Sequence, residues 1–403
     1  MEEWKSYKLQ DLTVDGKGHY GIGAPAVDYD ENLYTYLRIT DINDDGSLNY
    51  SGMKSVNDPE ANRYLLKEGD VVFARTGNST GRAYYYEPSD GKLVFAGFLI
   101  KFSLDPKKVN PRFLKYYTHS KSYYDWVQSF DTGATRGNIN AQTYGSMEIK
   151  LPPRNLQDQL VDVLSTLDMK IKLNNRINHN LEEQAQALYK SWFVDFDPFK
   201  SVGFIDSELG LIPYGWQVIP LKDIVDYKKK SVNPQKSPDT CFVHYSLPAF
   251  DNSKEPEIQK GAEIMSNKFL LEGKTVLFSK LNPRIKRIWP IEITTPNSIC
   301  STEFIAYKAK NEILHPFVWC LLNGDFFYDK VLSGVNGATG SHQRFHADDT
   351  MDYVIPFNLG AAISLSEKVA PMLQSIIEKE EEIRVLKAKR DTLLPKLMSG
   401  ELK

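Results

Sequence analysis

Two segments of this chain combine basic and amide side chains with glycine or proline, a set that suits contacts to bases and phosphates. Residues 75–82 read Arg-Thr-Gly-Asn-Ser-Thr-Gly-Arg, and residues 280–287 read Lys-Leu-Asn-Pro-Arg-Ile-Lys-Arg. Arginine and lysine bind guanine edges and phosphates, and asparagine can pair with two atoms of adenine. Either segment alone could be an ordinary solvated turn. Because similar segments follow similar strand patterns twice, we predict that both contact nucleic acid.

A second pair of candidate segments begins with Gly-Ala-Thr, at Gly133 and at Gly337, and we call these the GAT segments. Each precedes a predicted strand, so its glycine is equally consistent with a purely conformational role. The candidate nucleic-acid-binding residues of the four segments are Arg75, Thr76, Asn78, Arg82, Arg136, Asn138, Lys280, Asn282, Arg284, Lys286, Arg287, Gln343 and Arg344.

One fragment imitates an adenine methyltransferase. Asp197-Pro198-Phe199 is one residue short of the (D/N)PP(Y/F) motif of such enzymes, and the chain offers only Phe95-Ala96-Gly97-Phe98 as a poor substitute for their glycine-rich cofactor motif. We therefore predict no catalytic residues and no bound cofactor.

Another set imitates a metal-dependent nuclease. Asp131, Glu148 and Lys150 resemble the carboxylates and lysine that surround Mg²⁺ in such enzymes. In the internal repeat described below, however, Lys150 corresponds to Val354. Since one copy lacks the lysine, a chance strand pattern is the better interpretation, and we predict no metal site.

Composition sets wider limits on function. The 403 residues are 41% hydrophobic and 25% charged, with a net charge of −3, so basic residues must cluster locally to bind phosphates. No run approaches the roughly 20 apolar residues of a membrane span, and we expect a cytoplasmic protein without a membrane partner. The cysteines Cys241, Cys300 and Cys320 lack the spacing of a zinc site or disulfide framework and are expected in cores.

The elements that must position these segments occur twice. Gly133 corresponds to Gly337 and Pro152 to Pro356 at one constant spacing, and Trp4 has a counterpart in Trp216. A period near half the chain is far longer than the roughly 20 to 50 residues of solenoid repeats. The pattern therefore predicts a duplicated mixed domain, of class α+β, with pseudo-two-fold symmetry.

A long helical pattern follows each copy. Residues 155–192 contain neither proline nor glycine, and apolar residues recur every three or four positions there and again near the C-terminus. This spacing is typical of coiled-coil helices, although each helix could instead pack only on its own domain. The predicted seam residues are Leu160, Leu164, Leu167, Ile171, Asn174, Asn178, Leu181, Leu188, Leu365, Val369, Met372, Ile376, Ile383 and Leu393.

Two similar stripes in one chain are expected to pack on each other, antiparallel. Some 35 residues at about 1.5 Å each give a rod of roughly 50 Å, longer than the roughly 34 to 36 Å of one turn of B-DNA. Two different domains at the ends of such a rod would read two different half-sites. We predict domains at 1–154 and 194–357, and helices at 155–193 and 358–403.

The repeat, the GAT segments, the long helices and the closing residues 393–402, Leu-Leu-Pro-Lys-Leu-Met-Ser-Gly-Glu-Leu, together resemble the DNA-specificity subunit of Type I restriction-modification systems. The resemblance covers essentially the whole chain. It implies two target-recognition domains, at 1–154 and 194–357, that read the halves of a bipartite asymmetric site on double-stranded DNA, with the conserved helices forming an antiparallel coiled coil.

The same resemblance implies partners that carry the chemistry. Two modification subunits would bind S-adenosylmethionine and methylate adenine, and separate restriction subunits would use ATP and Mg²⁺ to cut unmethylated DNA. This chain would be a non-catalytic subunit. A coiled-coil scaffold without sequence-specific DNA reading is the alternative hypothesis.

Overall fold

Each of the candidate segments 75–82 and 280–287 directly follows a strand. That strand is central in a sheet of its own unit, because apolar residues line both of its faces. The computed structural model describes residues 4–50, 52–130, 138–227, 230–334 and 343–399. The chain divides into a first unit, Met1–Met169 with Leu386–Lys403, and a second unit, Lys170–Val385. Both divisions fall inside long helices.

In the first unit, short strands alternate with turns and three short helices. The strands are β1 (Lys5–Lys8), β2 (His19–Tyr20), β3 (Ala26–Val27), β4 (Tyr34–Leu37), β5 (Lys54–Val56), β6 (Asp70–Ala74), β7 (Ala83–Tyr85), β8 (Leu93–Phe95), β9 (Leu99–Ser103) and β10 (Glu148–Leu151). The helices are α1 (Pro111–Tyr117), α2 (Lys121–Gln128), α3 (Ala141–Gly145) and the long α4 (Arg154–Phe193), which continues into the second unit.

The second unit repeats this plan with longer strands. They are β11 (Phe204–Ser207), β12 (Gly210–Pro213), β13 (Gln217–Pro220), β14 (Val225–Tyr227), β15 (Ser231–Val232), β16 (Cys241–Tyr245), β17 (Glu257–Lys260), β18 (Lys268–Leu270), β19 (Gly273–Ser279), β20 (Ile288–Ile293), β21 (Ser298–Cys300), β22 (Phe304–Ala309) and β23 (Val354–Phe357). The helices are α5 (Leu247–Ser253), α6 (His315–Asn323), α7 (Asp325–Ser333), α8 (Ala347–Met351) and α9 (Leu359–Ser399), whose last turns belong to the first unit.

Sheet topology confirms the internal repeat. One sheet has the order β2-β9-β6-β7 in the first unit and β14-β22-β19-β20 in the second. Another contains a parallel pair in each unit, β4 with β8 and β16 with β21. The strand before each long helix pairs with the first strand of its unit, β10 with β1 and β23 with β13. The fold is therefore a mixed α+β domain given twice.

The strand pairs correct the predicted alignment of the two copies. Lys5 pairs with Leu151, and its counterpart Gln217 pairs with Phe357. Leu151 therefore matches Phe357, and Pro152 does not match Pro356. The sequence from Gly337 to α8 is two residues longer than that from Gly133 to α3.

The long helices pack in each unit on the same cores as the sheets. In the first unit, Leu160 and Leu164 of α4 share a core with Leu394 of α9. In the second unit, Tyr189 and Phe193 of α4 share a core with Leu365 and other residues of α9. Buried apolar area of this kind is the main stabilising contribution to such packing.

The predicted seam falls on the inner faces of these helices. Buried seam residues are Leu160, Leu164, Ile171, Asn174, Asn178, Leu365, Val369, Ile376 and Ile383. Half-buried ones are Leu167, Leu181, Leu188, Met372 and Leu393. Within the second unit, Asn174 Nδ2 donates to Glu382 Oε2 (2.8 Å) and Asn178 Nδ2 to the Ile376 carbonyl (3.4 Å). The later residue of α4, Asn178, contacts the earlier residue of α9, Ile376, so the two helices run antiparallel there.

One smaller expectation was wrong. Cys300 and Cys320 are buried as expected, but Cys241 is exposed at the start of β16. In the part of the chain that the structure describes, no helix combines the length and the apolar character needed to cross a membrane.

Candidate nucleic-acid interface

The segment 75–82, which we call the first loop, is a tight excursion between β6 and β7. The Ala74 amide donates to the Arg82 carbonyl (2.8 Å), and the Gly81 amide donates back to the Ala74 carbonyl (3.0 Å). Gly77 has a φ of 73°, a conformation that favours glycine. The side chains between Ala74 and Arg82 are thus held at the end of a rigid strand.

The segment 280–287, the second loop, has the same construction between β19 and β20. The Ser279 amide donates to the Arg287 carbonyl (3.0 Å). Asn282 also has positive φ, 48°, and asparagine tolerates that region better than most residues. Arg287 therefore corresponds to Arg82.

In each unit the loop lies beside the described end of the GAT segment, which is Asn138 in the first unit and Gln343 with Arg344 in the second. The structure thus brings together two groups of candidates that are far apart in sequence. Thr76 forms a bridge with Asn138, and the Ile139 amide donates to the Arg75 carbonyl (2.9 Å). The equivalent bridge in the second unit joins Leu281 to Arg344.

The second unit adds one more contact of this kind. The Asn282 amide donates to the Gln343 carbonyl (2.9 Å). Each unit therefore presents one composite surface built from two segments. Arg136 lies outside the described residues.

Arg75 and Lys280 begin the two loops and occupy equivalent positions. The Arg75 amide donates to the Phe98 carbonyl (3.1 Å), and the Lys280 amide to the Glu303 carbonyl (2.9 Å). The Arg75 guanidinium lies 5.1 Å from the ring centroid of Tyr20, a cation–π contact. Within the described part of the chain, its buried Nε has no hydrogen-bond partner.

Lys280 lines a cavity of about 210 Å³ in the second unit. Arg344 and the aromatic residues Tyr227, Phe269 and Phe304 also line this cavity. Cations beside aromatic faces suit the phosphates and bases of a nucleic acid.

Three of the predicted basic residues form ion pairs inside their own unit. Arg82 Nε donates to Asp44 Oδ1 (2.6 Å), and Arg287 binds both oxygens of Asp251 (2.6 and 2.9 Å). Arg344 binds both oxygens of Glu303 at 3.1 Å. The acidic partners Asp44, Asp251 and Glu303 were not predicted.

The other candidates differ in their availability. Asn78, Asn138 and Arg284 are exposed, whereas Thr76, Asn282 and Gln343 are half-buried. Lys286 Nζ donates to the Asn323 carbonyl (2.5 Å) and lies 5.3 Å from the Tyr328 ring centroid. Desolvation there lowers the pKa of the Lys286 ammonium.

The residues that imitate catalytic sites have structural partners. Asp197 binds Lys200 and Ser191 in a turn after α4, and its pKa is lowered by the Lys200 hydrogen bond first and the Ser191 bond second. The corrected alignment pairs Glu148 with Val354, so the second unit offers no carboxylate at that point. Asp131 lies outside the described residues. Across the described ranges, no three histidine, cysteine, aspartate or glutamate side chains cluster as metal ligands.

Comparison with known proteins gives one consistent result. Residues 1–183 match the model of the Type I restriction modification DNA specificity domain. The MjaIX specificity subunit of Methanocaldococcus jannaschii is 29% identical over 72% of this chain and 69% of its own length. The HindI specificity subunit of Haemophilus influenzae is 28% identical over 50% of this chain and 43% of its own.

A solved structure extends the match in fold to nearly the whole chain. The S subunit of the Type I restriction-modification system of M. genitalium has a TM-score of 0.60 and 16% identity, over 98% of this chain and 96% of that one. The family-model match covers the first loop and the GAT segment of the first unit, and the fold match covers both units. This chain is therefore similar to Type I restriction-modification DNA specificity subunits, in sequence over residues 1–183 and in fold over nearly its whole length.

Proposed function

We propose that this chain directs a Type I restriction-modification complex to a bipartite, asymmetric site on double-stranded DNA, with each unit reading one half. The observation that carries this proposal is the bridge between the loop and the described end of the GAT segment, which recurs at equivalent positions in both units with different side chains. Phosphate contacts would position the surface and base contacts would give it specificity.

The two surfaces are expected to prefer different bases. Arg75, Asn78 and Asn138 supply a guanidinium and two amides in the first unit, whereas Lys280 and Arg284 supply two cations in the second. Phe98, 58% exposed, lies beside Arg75, and Glu303 takes its place in the second unit. Since asparagine favours adenine and cations favour guanine or phosphate, the half-sites should differ.

The chemistry would come from partners. Two modification subunits would hold S-adenosylmethionine and methylate adenine, which must leave the stack to enter an active site. Restriction subunits would use ATP and Mg²⁺ for cleavage. This chain would bind none of these cofactors, would act in the cytoplasm where such DNA and partners meet, and would decide only where on the duplex the partners bind.

Mapping methylated adenines across the genome, in cells with and without this gene, tests the proposal. We expect one bipartite motif to lose methylation when the gene is deleted. A gel shift of the assembled complex on that motif and on shuffled duplexes is the second measurement. A scaffold would leave methylation unchanged and bind both duplexes equally, and either result would end the proposal.

A further inference from the structure

The sequence predicts Arg82 and Arg287 as DNA contacts, but in the structure both side chains bind aspartates of their own unit. The Arg287 side chain is only 10% exposed and holds Asp251 through two parallel hydrogen bonds. Bidentate pairs of this kind fix geometry as well as charge. Arg82 donates to Asp44 and also to the Ile42 carbonyl (3.1 Å). Each arginine thus ties the end of its loop to a neighbouring segment.

The two aspartates lie in equivalent places although their segments share no sequence pattern. The Ala96 amide donates to the Leu37 carbonyl at the end of β4, and the Ser301 amide donates to the Tyr245 carbonyl at the end of β16, both at 2.9 Å. Asp44 and Asp251 follow these two strand ends by seven and six residues. In each unit the equivalent arginine is therefore held by an aspartate that follows the equivalent strand.

In the second unit, the segment that holds Arg287 is itself attached to both long helices. Lys254 is the residue after α5. Its Nζ lies 3.9 Å from Glu182 Oε1 of α4 and 3.7 Å from Glu380 Oε1 of α9. Next to it, Glu255 lies 3.7 Å from Arg384 of α9. The second loop is thus connected through Asp251 to the helices of its own unit.

In the first unit, the corresponding segment is a turn closed by the Asn43 amide and the Ser47 carbonyl (2.9 Å). A Cβ atom at Gly46 would approach His119 Nε2 to 2.6 Å, so the turn packs tightly on that ring. The Tyr124 hydroxyl donates to the Asp44 carbonyl (3.3 Å). The first loop is therefore also attached, through Asp44, to a segment that packs on the rest of its unit.

We propose that Arg82 and Arg287 are positioning residues, which fix the loops through Asp44 and Asp251 so that other side chains read the DNA. This inference rests on the proposed function. It separates two roles within the predicted basic set: Arg75, Lys280 and Arg284 contact the duplex, whereas Arg82 and Arg287 contact their aspartates in the bound complex as well.

The assembled complex with the modification subunits, bound to duplexes carrying the mapped site, tests this proposal. Asp251→Asn, Arg287→Ala, their double variant and Arg284→Ala are compared for discrimination at each half-site and for the salt dependence of binding. We expect Asp251→Asn and Arg287→Ala each to lower discrimination about tenfold at one half-site only, because a charge-assisted pair is lost. The double variant should be no worse than either single one, and the salt slope should stay at its wild-type value.

A phosphate contact at Arg287 predicts the opposite result. Arg287→Ala would then reduce the salt slope by about one, and Asp251→Asn would tighten binding by releasing the arginine. That pair of results would overturn the proposal. Arg284→Ala is the matched control, since an exposed arginine of the same loop should reduce the slope.

Two further measurements keep the outcomes apart. Asp44 is 85% exposed, so Asp44→Asn cannot disturb a core and repeats the test at the other half-site, where it should phenocopy Arg82→Ala. If Asp44→Asn leaves discrimination unchanged while Arg82→Ala reduces it, the positioning role is wrong. A wild-type complex without half-site preference would instead contradict the proposed function.

Discussion

Gly77 and Asn282 occupy the same backbone position in the two units, each directly after the residue that bridges to the GAT segment, and both have positive φ, 73° and 48°. The first unit has glycine at this position, which lacks a Cβ atom and adopts this φ without strain. The other uses asparagine, whose Oδ1 is buried with no partner among the described residues. The shape of the loop is therefore common to both units while its chemistry is not.

Gly77→Ala should destabilise the first unit by about 1 kcal/mol, because an L-residue is strained at this φ. Apart from Gly77 and its two chain neighbours, no atom of the described residues lies within 4 Å of the added methyl group, so strain accounts for the expected loss. Urea denaturation measures it. Gly23→Ala, with equally open surroundings and no such φ, is the control, and equal losses in both variants would contradict the argument.

Arg75→Ala and Lys280→Ala form a matched pair, since the two residues begin equivalent loops. Each should cost about 1–3 kcal/mol of binding or discrimination, at one half-site and not the other. Competition binding with duplexes altered in one half at a time measures this. If Arg75→Ala weakened both halves equally, the units would not be independent readers.

Glu303→Gln should raise the affinity for DNA of any sequence, by about threefold, because Arg344 is released to bind phosphate. Arg344 is 49% exposed, unlike Arg287 at 10%, so it is free to exchange partners. Glu312→Gln removes the same charge from an exposed site of the second unit and serves as control. An equal rise in that variant would show a bulk-charge effect only.

Asn178→Leu should raise the free energy of unfolding of the second unit by about 1–2 kcal/mol, because a buried amide with a poorly satisfied oxygen is replaced by an apolar side chain. Asn178 is 8% exposed, and the one hydrogen bond described for its side chain is 3.4 Å long. Urea denaturation measures the change. Asn175→Leu, exposed on the same helix, should give no gain, and a gain there would remove burial as the explanation.

The second unit should lose stability as pH rises from about 4.5 to about 7. Burial raises the pKa of the Glu380 carboxyl from 4.5 to about 7, and Lys254 opposes this while Glu182 adds to it. A raised carboxyl pKa means that the folded state holds the proton more tightly, so its stabilising contribution is full below pH 4.5 and is lost by about pH 7.

Glu380→Gln should therefore be more stable than the wild type at pH 8 by about 1–3 kcal/mol, with little difference at pH 4.5. Thermal unfolding at several pH values measures this. Glu378→Gln, exposed on α9, is the control. If Glu380→Gln showed the same dependence of stability on pH as the wild type, the titrating group would be a different residue.

Periodicity and spacing predicted much of this fold. The absence of proline and glycine between residues 155 and 192 gave the limits of α4 to within one residue, since a helix pattern continues until something breaks it. The start of α9 was also predicted to within one residue. The alignment of the two copies slipped by two residues because an extra pair of residues in the second GAT segment leaves no trace in a period-2 strand pattern.

The site was only half predictable. Repetition identified the loops and GAT segments, but nothing in the sequence indicates that Thr76 lies beside Asn138. Asp44 and Asp251 were missed because they come from unlike segments and meet their arginines only through the fold. Tyr20, which covers Arg75, belongs to a strand of two residues that is too short for any pattern to reveal.

The pairing of β1 with β10, and of β13 with β23, means that the chain enters and leaves each sensing module at one sheet edge, directly before a long helix. The paired strands thus fix where the chain enters and leaves each module, whatever the length of the sequence between them. A change in the sequence between one pair of strands would leave the start of the following helix in place.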